Sequence, residues 1–341
     1  MIKKLLPVCA IALLSACNNA ENKNPPMTEK SKTTGTIERV DAALDAIIDT
    51  SAKAEIIAEG FEWSEGPLWI EKDSMLLFSD VPTNTIYKWT EAKGKEVYLE
   101  PSGYTDSIPS NCKEPGSNGL TLDSKGNLVL CQHGDRRMAR MDAPLNSPAA
   151  KFITLADKYN GKRFSSPNDA VYNLGELFFT DPPYGLGTQD DKDPKKEIPF
   201  NGVYKLKKDG AVILLTDSIS RPNGIAFFPG GKRLLVASSD PVKPNWYSFD
   251  ISGDSLINGK IFYSTSGHDN NLKGLPDGLK IDSNGNVFAT GPGGLYIFNS
   301  EGKLLGNVKL ENATSNCALS PDEKTLYITN DMYVLRLKMR D

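Results

Sequence analysis

The chain has 341 residues and a formal net charge of −4 at pH 7, because 43 Asp and Glu side chains outnumber 39 Lys and Arg side chains. This excess of acid leaves no basic field for DNA or RNA, so nucleic-acid binding is excluded as a main function. Only two histidines are present and the cysteine spacings match no metal motif, which argues against a zinc site.

The first sixteen residues have the pattern of an export signal. A basic start precedes an apolar stretch over residues 5–14 that is too short to span a bilayer. Residues 14–17, Leu-Ser-Ala-Cys, resemble the lipobox of bacterial lipoproteins, in which the cysteine is acylated. We therefore predict a lipoprotein signal peptide over residues 1–16, lipidation at Cys17, and a place in the cell envelope, periplasmic or surface-facing. An ordinary secretion signal is the alternative.

Residues 17–35 contain almost nothing to bury, and we predict a flexible tether there. Over residues 36–54 apolar side chains recur at helical spacing, which predicts one short amphipathic helix. Residues 55–61 then have the character of a strand. The apolar residues of the predicted helix are Ile37, Val40, Ala43, Leu44, Ile47 and Ile48.

A unit of two strands recurs along the rest of the chain. In its clearest copy, residues 275–290, a Pro-Asp-Gly segment opens an alternating strand, Asp-Ser-Asn-Gly-Asn reverses the chain, and an apolar strand returns. Residues 117–130 repeat this pattern. Six copies are present, and the polar residues that open them lie 39 to 55 positions apart: Glu65, Asn118, Asn168, Asn223, Asp277 and Asn316.

This interval leaves room for about four short strands per copy, which is typical of a propeller blade. The sequence therefore predicts an all-β fold, a six-bladed β-propeller within residues 36–341. The six opening residues would head the innermost strands and form a ring at one mouth of the central channel. Too few residues follow Asn316 to supply four strands, so we predict that the strand at 55–61 completes the last blade and closes the ring.

The predicted ring is a set of oxygen donors, which favours a hard cation, Ca²⁺ before Mg²⁺. Glu65 and Asp277 carry two negative charges, enough to balance one divalent ion, while Asn168 and Asn223 contribute amide oxygens. Four such ligands leave positions open for water and substrate. The alternative is that these residues cap strands and fill a hydrated channel.

A second layer of candidates lies in the loops that follow the second strand of each copy. Antiparallel pairing returns these loops to the face on which the ring lies. We expect His133, Asp181 and Tyr184 in these loops, and Asn118 in the ring, to contact substrate. Arg163 precedes the third copy and could reach an anionic or hydroxylated substrate. For His133 a structural hydrogen bond, and for Arg163 a solvated position, remain open.

Three cysteines lie beyond the predicted lipidation site. They are Cys112, Cys131 and Cys317; Cys112 and Cys131 could pair in an oxidising compartment, or the cysteines could stay unpaired. The odd number means that at least one thiol stays free.

From residue 52 to the C-terminus the chain resembles the SMP-30, gluconolactonase and luciferin-regenerating-enzyme family, and most closely its bacterial gluconolactonase branch. Several short motifs in a fixed order carry this resemblance. They are Glu65-Gly66-Pro67, Gln132-His133-Gly134 with Arg136-Arg137, Ser166-Pro167-Asn168-Asp169, the segment Phe179-Thr180-Asp181-Pro182-Pro183-Tyr184-Gly185, Arg221-Pro222-Asn223-Gly224, and Pro276-Asp277-Gly278.

The resemblance implies a six-bladed propeller with Ca²⁺, or another divalent cation such as Mg²⁺, Mn²⁺ or Zn²⁺, in the central channel. The family's ligand pattern corresponds to Glu65, Asn168, Asn223 and Asp277. It further implies proton transfer or nucleophilic assistance by Asp277, and contacts of His133, Arg163 and Tyr184 with substrate hydroxyls. The implied reaction is hydrolysis of a sugar lactone such as glucono-1,5-lactone.

Two other functions fit the same pattern. One is a hydrolase of the same fold that acts on another ester or an organophosphate. The other is a lipid-tethered, carbohydrate-binding propeller with a structural ion. A covalent serine route has no support, because the chain contains no Gly-x-Ser-x-Gly elbow. Membrane contact is expected only through the lipid, and the pattern indicates neither the particular lactone nor an oligomeric state.

Overall fold

A computed structural model describes residues 32–108, 110–269 and 271–339. Strands dominate these residues and form six antiparallel sheets of four or five strands, which confirms the predicted six-bladed β-propeller. Nothing helical in these residues has the length and apolar character that crossing a bilayer requires. The predicted signal peptide, Cys17 and most of the predicted tether lie outside the described residues.

The first three blades each contain four strands, which run in order from the channel to the rim. A short hairpin, Lys158–Tyr159 with Lys162–Arg163, connects the second blade to the third. The strands of blade 1 are Ser64–Ile70, Met75–Asp80, Thr85–Thr90 and Gly94–Leu99; those of blade 2 are Ser117–Leu122, Leu128–Gln132, Arg137–Met141 and Phe152–Ala156; those of blade 3 are Ala170–Asn173, Glu176–Asp181, Gly202–Leu206 and Val212–Thr216.

The last three blades follow the same plan, and two of them gain strands from the start of the domain. Ala54–Glu59 pairs with Tyr333–Lys338, which confirms the predicted closure of the ring. The strands of blade 4 are Pro222–Phe227, Arg233–Asp240, Lys243–Ser252 and Ser255–Ser264; those of blade 5 are Leu279–Ile281, Val287–Gly291, Gly294–Phe298, Leu304–Lys309 and Thr36–Arg39; those of blade 6 are Asn316–Leu319, Thr325–Asn330, Tyr333–Lys338, Ala54–Glu59 and Thr33–Thr34.

The predicted amphipathic helix over residues 36–54 is wrong. Thr36–Arg39 is a strand on the outer edge of blade 5, and only a short 3₁₀ helix, Ala42–Ala46, follows; a second one, Glu71–Asp73, lies in blade 1. The edge of blade 5 offers unpaired backbone groups, and pairing with them outweighs helix formation. The end of the predicted tether also differs, because Thr33–Thr34 pairs with the start of Ala54–Glu59.

The apolar core lies between neighbouring blades and not on the propeller axis. Leu77 of blade 1 packs with Leu120 and Leu130 of blade 2, for example, and Trp246 of blade 4 packs with Val287 of blade 5. Each strand thus buries side chains against the next blade, as expected for sheets that pack face to face. The axis itself is left to polar groups.

Around the axis the innermost strands touch through their backbones. A Cβ atom at Gly66, where φ is +53°, would lie 2.1 Å from the carbonyl oxygen of Asn118, and one at Gly224 would lie 2.3 Å from that of Asp277. Only glycine fits at such distances. The glycine that follows the polar residue in the repeat therefore lets the next ring residue approach.

Buried hydroxyl groups connect the blades at the same level. Ser79 Oγ donates to the carbonyl oxygen of Asn118 at 2.9 Å, and Thr180 Oγ1 donates to that of Asn223 at 2.9 Å. These donors lie on the second strand of one blade, and the acceptors open the next blade. The hydrogen bonds therefore fix the ring residues relative to one another.

The three cysteines among the described residues are free thiols. Cys131 and Cys317 are buried in the core. Cys112 is half-buried, and its Sγ donates to the carbonyl oxygen of Gly185 at 2.9 Å. Of the two alternatives for Cys112 and Cys131, the structure therefore shows the unpaired one.

The docking of the N-terminal segment gives a first prediction. Leu44 of the 3₁₀ helix is fully buried against blades 5 and 6. Leu44→Ala should lower the free energy of unfolding by about 3 kcal/mol, since it opens a cavity in that core. Urea denaturation measures this, with Leu174→Ala as the matched control because Leu174 is 85% exposed in a turn. Equal stability of the two variants would contradict the docking.

Candidate functional site

A cavity of about 310 Å³ lies at one mouth of the central channel. Five of the six predicted ring residues line it, and each lies at the start of the innermost strand of a different blade or two residues before it. All four predicted metal ligands are among them. The ring residues in the lining are Glu65, Asn118, Asn168, Asn223 and Asp277, and the other lining residues are Trp63, Glu114, Tyr184, Ser239, Gly274, Leu275 and Thr314.

The sixth ring residue, Asn316, lies in the channel but does not line the cavity. Its Oδ1 accepts hydrogen bonds from Cys317 N at 2.9 Å and from Lys280 Nζ at 3.3 Å. Its Nδ2 points to Glu65 Oε2 at 3.4 Å. Asn316 therefore links a buried part of the channel to one of the predicted ligands.

Several oxygens at the cavity lack the hydrogen bonds that buried polar atoms normally have. Asn223 Nδ2 donates to Ser239 Oγ at 2.9 Å, which leaves the Asn223 oxygen as the group available for a ligand. Oxygens without hydrogen-bond donors can bind a cation, which accepts their electron pairs. Within the described chain, the side-chain oxygens without a hydrogen-bond partner include Oδ1 of Asn118, Oδ1 of Asn168 and Oδ1 of Asp277.

The carboxylates of the site are crowded. Burial raises the pKa of Glu65 to about 8, and the negative charges of Asp169 and Glu114 contribute, although the Gly66 N–H donates to Glu65 Oε2 at 2.9 Å. Burial also raises the pKa of Asp277 well above its usual range, with Glu65 as the next largest cause. A bound cation would relieve this repulsion.

The donor set fits a hard divalent cation. Two carboxylates and several amide oxygens are the ligands that Ca²⁺ takes in proteins, whereas structural zinc takes sulfur and imidazole. Across residues 32–339, as far as they are described, no three His, Cys, Asp or Glu side chains surround a common metal position. Any ion here would therefore depend on the asparagine oxygens as well as on Glu65 and Asp277.

His133 lies behind the cavity and not in its lining. It is fully buried, its Nε2 lies 3.5 Å from Asn168 Nδ2, and its Nδ1 lies 3.8 Å from Glu114 Oε2. Burial lowers the pKa of His133 to about 3, so the imidazole is neutral and forms no ion pair with Glu114. The contacts of His133 orient Asn168.

Arg163 belongs to a different cavity of about 560 Å³. Its Nη2 donates to the carbonyl oxygen of Asp135 at 2.9 Å, and Glu197 accepts from its backbone N–H at 2.8 Å. The structure therefore does not bring Arg163 to the ring. Three residues, Ser165 to Pro167, separate Phe164 from Asn168 and place the arginine outside the channel mouth.

Asp181 and Tyr184 have different positions although they share a loop. Asp181 is fully buried and accepts from the N–H groups of Ser165 and Ser166 at 2.9 and 2.7 Å, so it holds the segment that leads to Asn168. Tyr184 lines the cavity. Burial and the neighbouring Asp277 charge raise the pKa of Tyr184, which keeps the phenol protonated as a hydrogen-bond donor.

The sequence interpretation missed several lining residues. Glu114 lies in the long connection between blades 1 and 2, accepts from Gln189 Nε2 at 2.9 Å, and has its pKa raised to about 7 by burial. Trp63 and Leu275 supply apolar surface. None of them occupies the repeating position, although Trp63 and Leu275 both lie two residues before a ring carboxylate.

The chain is similar to proteins of known fold and activity. The sequence model of the family described as SMP-30/Gluconolactonase/LRE-like region matches residues 63–331. A gluconolactonase of Zymomonas mobilis is 38% identical over 315 residues, which cover 90% of this chain and 87% of the relative. Regucalcin of Danio rerio is 28% identical, with coverage of 82% and 87%. The solved structure of a gluconolactonase of Xanthomonas campestris superposes with a TM-score of 0.76 at 28% identity, covering 92% of this chain and 99% of the other.

The buried carboxylates predict a pH-dependent stability in the metal-free protein. An unfolded Glu65 loses its proton near pH 4.5, whereas the folded one holds it to about pH 8. The folded state therefore binds more protons in this window, and stability must fall as the pH rises through it. Urea midpoints in chelator should decrease from pH 5 to pH 8, and they should decrease less in Glu65→Gln.

The exposed Glu311→Gln serves as the matched control and should behave like the parent chain. A parent midpoint that stays constant or increases over this pH range contradicts the assigned electrostatics of the cavity.

Proposed function

This chain belongs to the SMP-30/gluconolactonase/LRE-like family and is a lactonase, a hydrolase of carboxylic ester bonds, and we propose that a divalent cation in the central cavity takes part in its reaction. The substrate class is a sugar lactone, with glucono-1,5-lactone as the proposed representative. The name of the Zymomonas mobilis relative supports this substrate. The names of the regucalcin relatives support a metal only by analogy.

The observation that carries the proposal is the ring of oxygen donors around one small cavity. Glu65, Asn168, Asn223 and Asp277 would hold the cation, and the unpartnered oxygens of Asn168 and Asp277 support this assignment. When bound, a divalent cation supplies polarisation of the lactone carbonyl and a charge that keeps the carboxylates ionised. Ca²⁺ fits the donors best, and Mg²⁺, Mn²⁺ and Zn²⁺ are the alternatives.

The residues of the cavity would then act on the lactone as follows. A water attacks the carbonyl carbon while its proton passes to the Asp277 carboxylate, so a C–O bond forms and a tetrahedral species results. The ring C–O bond breaks next, and the ring oxygen takes the proton from Asp277. The product is an open-chain aldonic acid, which ionises in water.

Other lining residues would position the sugar ring. The Tyr184 hydroxyl and the Asn118 side chain can bond to sugar hydroxyls, and Trp63 and Leu275 offer apolar surface to the C–H faces of the ring. His133 would act through Asn168, since it contacts that amide and does not reach the cavity. Arg163 and Asp181 have no direct role in this scheme, because neither lines the cavity.

We also propose that the enzyme is exported and tethered by a lipid at Cys17. The support is the sequence alone: a basic start, a short apolar stretch and Leu-Ser-Ala-Cys at residues 14–17. Mass spectrometry of the mature protein from a bacterial envelope would test it, with Cys17→Ser as the unlipidated control. A mature N-terminus without an acylated Cys17 would contradict the tether.

Removal of the proposed base gives the first activity prediction. Asp277→Asn should lower kcat for glucono-1,5-lactone by about 100-fold or more, because the amide cannot accept the proton of the attacking water. Initial rates above the spontaneous hydrolysis measure this. The exposed turn variant Asp209→Asn is the matched control and should keep full activity. A folded Asp277→Asn enzyme with the parent kcat refutes the assignment.

Metal removal gives the second activity prediction. Chelated protein should lose lactonase activity and regain it on addition of Ca²⁺, Mg²⁺, Mn²⁺ or Zn²⁺, each tested alone. Asn168→Ala should need about 10-fold more metal for half-maximal activity, since one oxygen ligand is lost. Isothermal titration with the metal alone gives the affinity directly. Full activity after exhaustive chelation, with no metal in the protein by mass spectrometry, would show that no cation is used.

A further inference from the structure

A groove of about 350 Å³ adjoins the catalytic cavity. The two spaces share Gly274 and Leu275 in their linings, so this segment forms the boundary between them. The groove lies between the turn at residues 241–242 of blade 4 and the connection from blade 4 to blade 5. Each space alone is near the lower limit of about 300 Å³ for small-molecule pockets.

The charge of the two linings restricts the ligand. Glu65, Glu114 and Asp277 line the catalytic cavity, and Asp269 lines the groove, whereas neither described lining contains a lysine or an arginine. The proposed cation would offset the charges of Glu65 and Asp277 but not those of Glu114 and Asp269. A phosphate or carboxylate on a part of the substrate that does not reach the cation would therefore find no counter-charge and would be repelled. The two spaces therefore favour an uncharged molecule.

The walls of the groove combine polar groups with apolar side chains. Three prolines, at positions 241, 244 and 292, line it, and Val242 and Leu272 stand at its rim with exposed fractions of 80% and 38%. Flat apolar surfaces of this kind pack against the C–H faces of sugar rings. A sugar ring in the groove would cover the side chains of Val242 and Leu272, which are otherwise exposed to solvent.

His268 supplies a defined hydrogen-bonding group in the same groove. The Tyr296 hydroxyl has one hydrogen and donates it to the carbonyl oxygen of Pro292 at 2.9 Å. The hydroxyl must therefore accept from His268 Nδ1, which lies 3.2 Å away. In the neutral ring this leaves Nε2 as an acceptor, suited to a sugar hydroxyl.

We propose that the cavity and the groove together bind an uncharged disaccharide lactone, with the lactone ring at the ring of oxygen donors and the second sugar ring in the groove. This inference rests on the proposed lactone hydrolysis and narrows its substrate class. Catalysis at the lactone ring is unchanged: the same C–O bond breaks, and the second sugar only adds contacts. Lactones phosphorylated on the sugar are excluded as good substrates.

The test compares kcat/KM for glucono-1,5-lactone, 6-phosphoglucono-1,5-lactone and two disaccharide lactones, one linked through O4 (cellobionolactone) and one through O6 (melibionolactone). At least one disaccharide lactone should exceed glucono-1,5-lactone by about 10-fold, the effect of one added hydrogen bond and a partly buried ring. The phosphorylated lactone should be poorer than glucono-1,5-lactone by a similar factor.

Two groove variants locate the effect. Val242→Trp should fill the groove and His268→Ala should remove the acceptor, and both should lower the ratio of disaccharide to monosaccharide kcat/KM toward one. The matched control is Val97→Trp, an exposed valine on the outermost strand of blade 1, which should keep the parent ratio. Thermal unfolding of each variant verifies that it is folded.

The outcomes separate this inference from the proposed function. Hydrolysis of glucono-1,5-lactone without any preference for a disaccharide lactone, or a preference that survives in both groove variants, overturns the inference and leaves the lactonase in place. A phosphorylated lactone that is the best substrate also overturns it. Absence of hydrolysis with every lactone overturns both.

Discussion

The contact of the innermost strands around the propeller axis is the constraint on which the rest of the structure depends. At Gly66 and Gly224 the backbone of one blade lies so close to the opening residue of the next that no side chain fits between them. Ser79 adds a buried hydrogen bond between blades 1 and 2, and Thr180 adds one between blades 3 and 4. Because the apolar side chains pack between blades, polar groups are left at the axis, and six repeats bring them from distant parts of the chain to one place.

This geometry has an electrostatic consequence. Glu65 and Asp277 lie in a buried cavity with no basic side chain in the described lining. Burial raises both pKa values, the charges of Asp169 and Glu114 add to the effect at Glu65, and the charge of Glu65 adds to it at Asp277. Such a site is unfavourable for the fold and useful for binding a cation. The neutral His133 and the Asn316 amide stabilise its geometry without compensating its charge. The stability of the metal-free protein and the proposed cation binding therefore depend on the same negative charge, which lowers the first and favours the second.

Much of the fold could be predicted because the repeat has a phase. A polar residue, followed by glycine in four of the six copies, marks the same structural position in successive blades. That position indicated the six blades, the channel and the ring that contains the four proposed ligands. The closing strand followed from a count of residues after Asn316. The helix predicted over residues 36–54 is wrong although Leu44, Ile47 and Ile48 are buried and occur at helical spacing. Residues 36–39 form a strand instead, because they pair with the open edge of blade 5. Periodicity does not report such an edge.

The candidate substrate contacts were harder to predict, because loops do not repeat. Asp181 and Tyr184 are three residues apart, yet one caps a buried segment and the other faces the cavity. Glu114 reaches the cavity from the connection between blades 1 and 2, whose sequence has no recognisable pattern. The proposed reaction requires that the ring of oxygen donors holds a divalent cation. The most direct test of cation binding is a crystal structure of the protein soaked in Mn²⁺, with anomalous scattering recorded at the manganese edge. We expect one anomalous peak within about 2.0–2.6 Å of oxygens from Glu65, Asn168, Asn223 and Asp277. A fully occupied peak elsewhere, or an empty channel in crystals of active enzyme, contradicts the account.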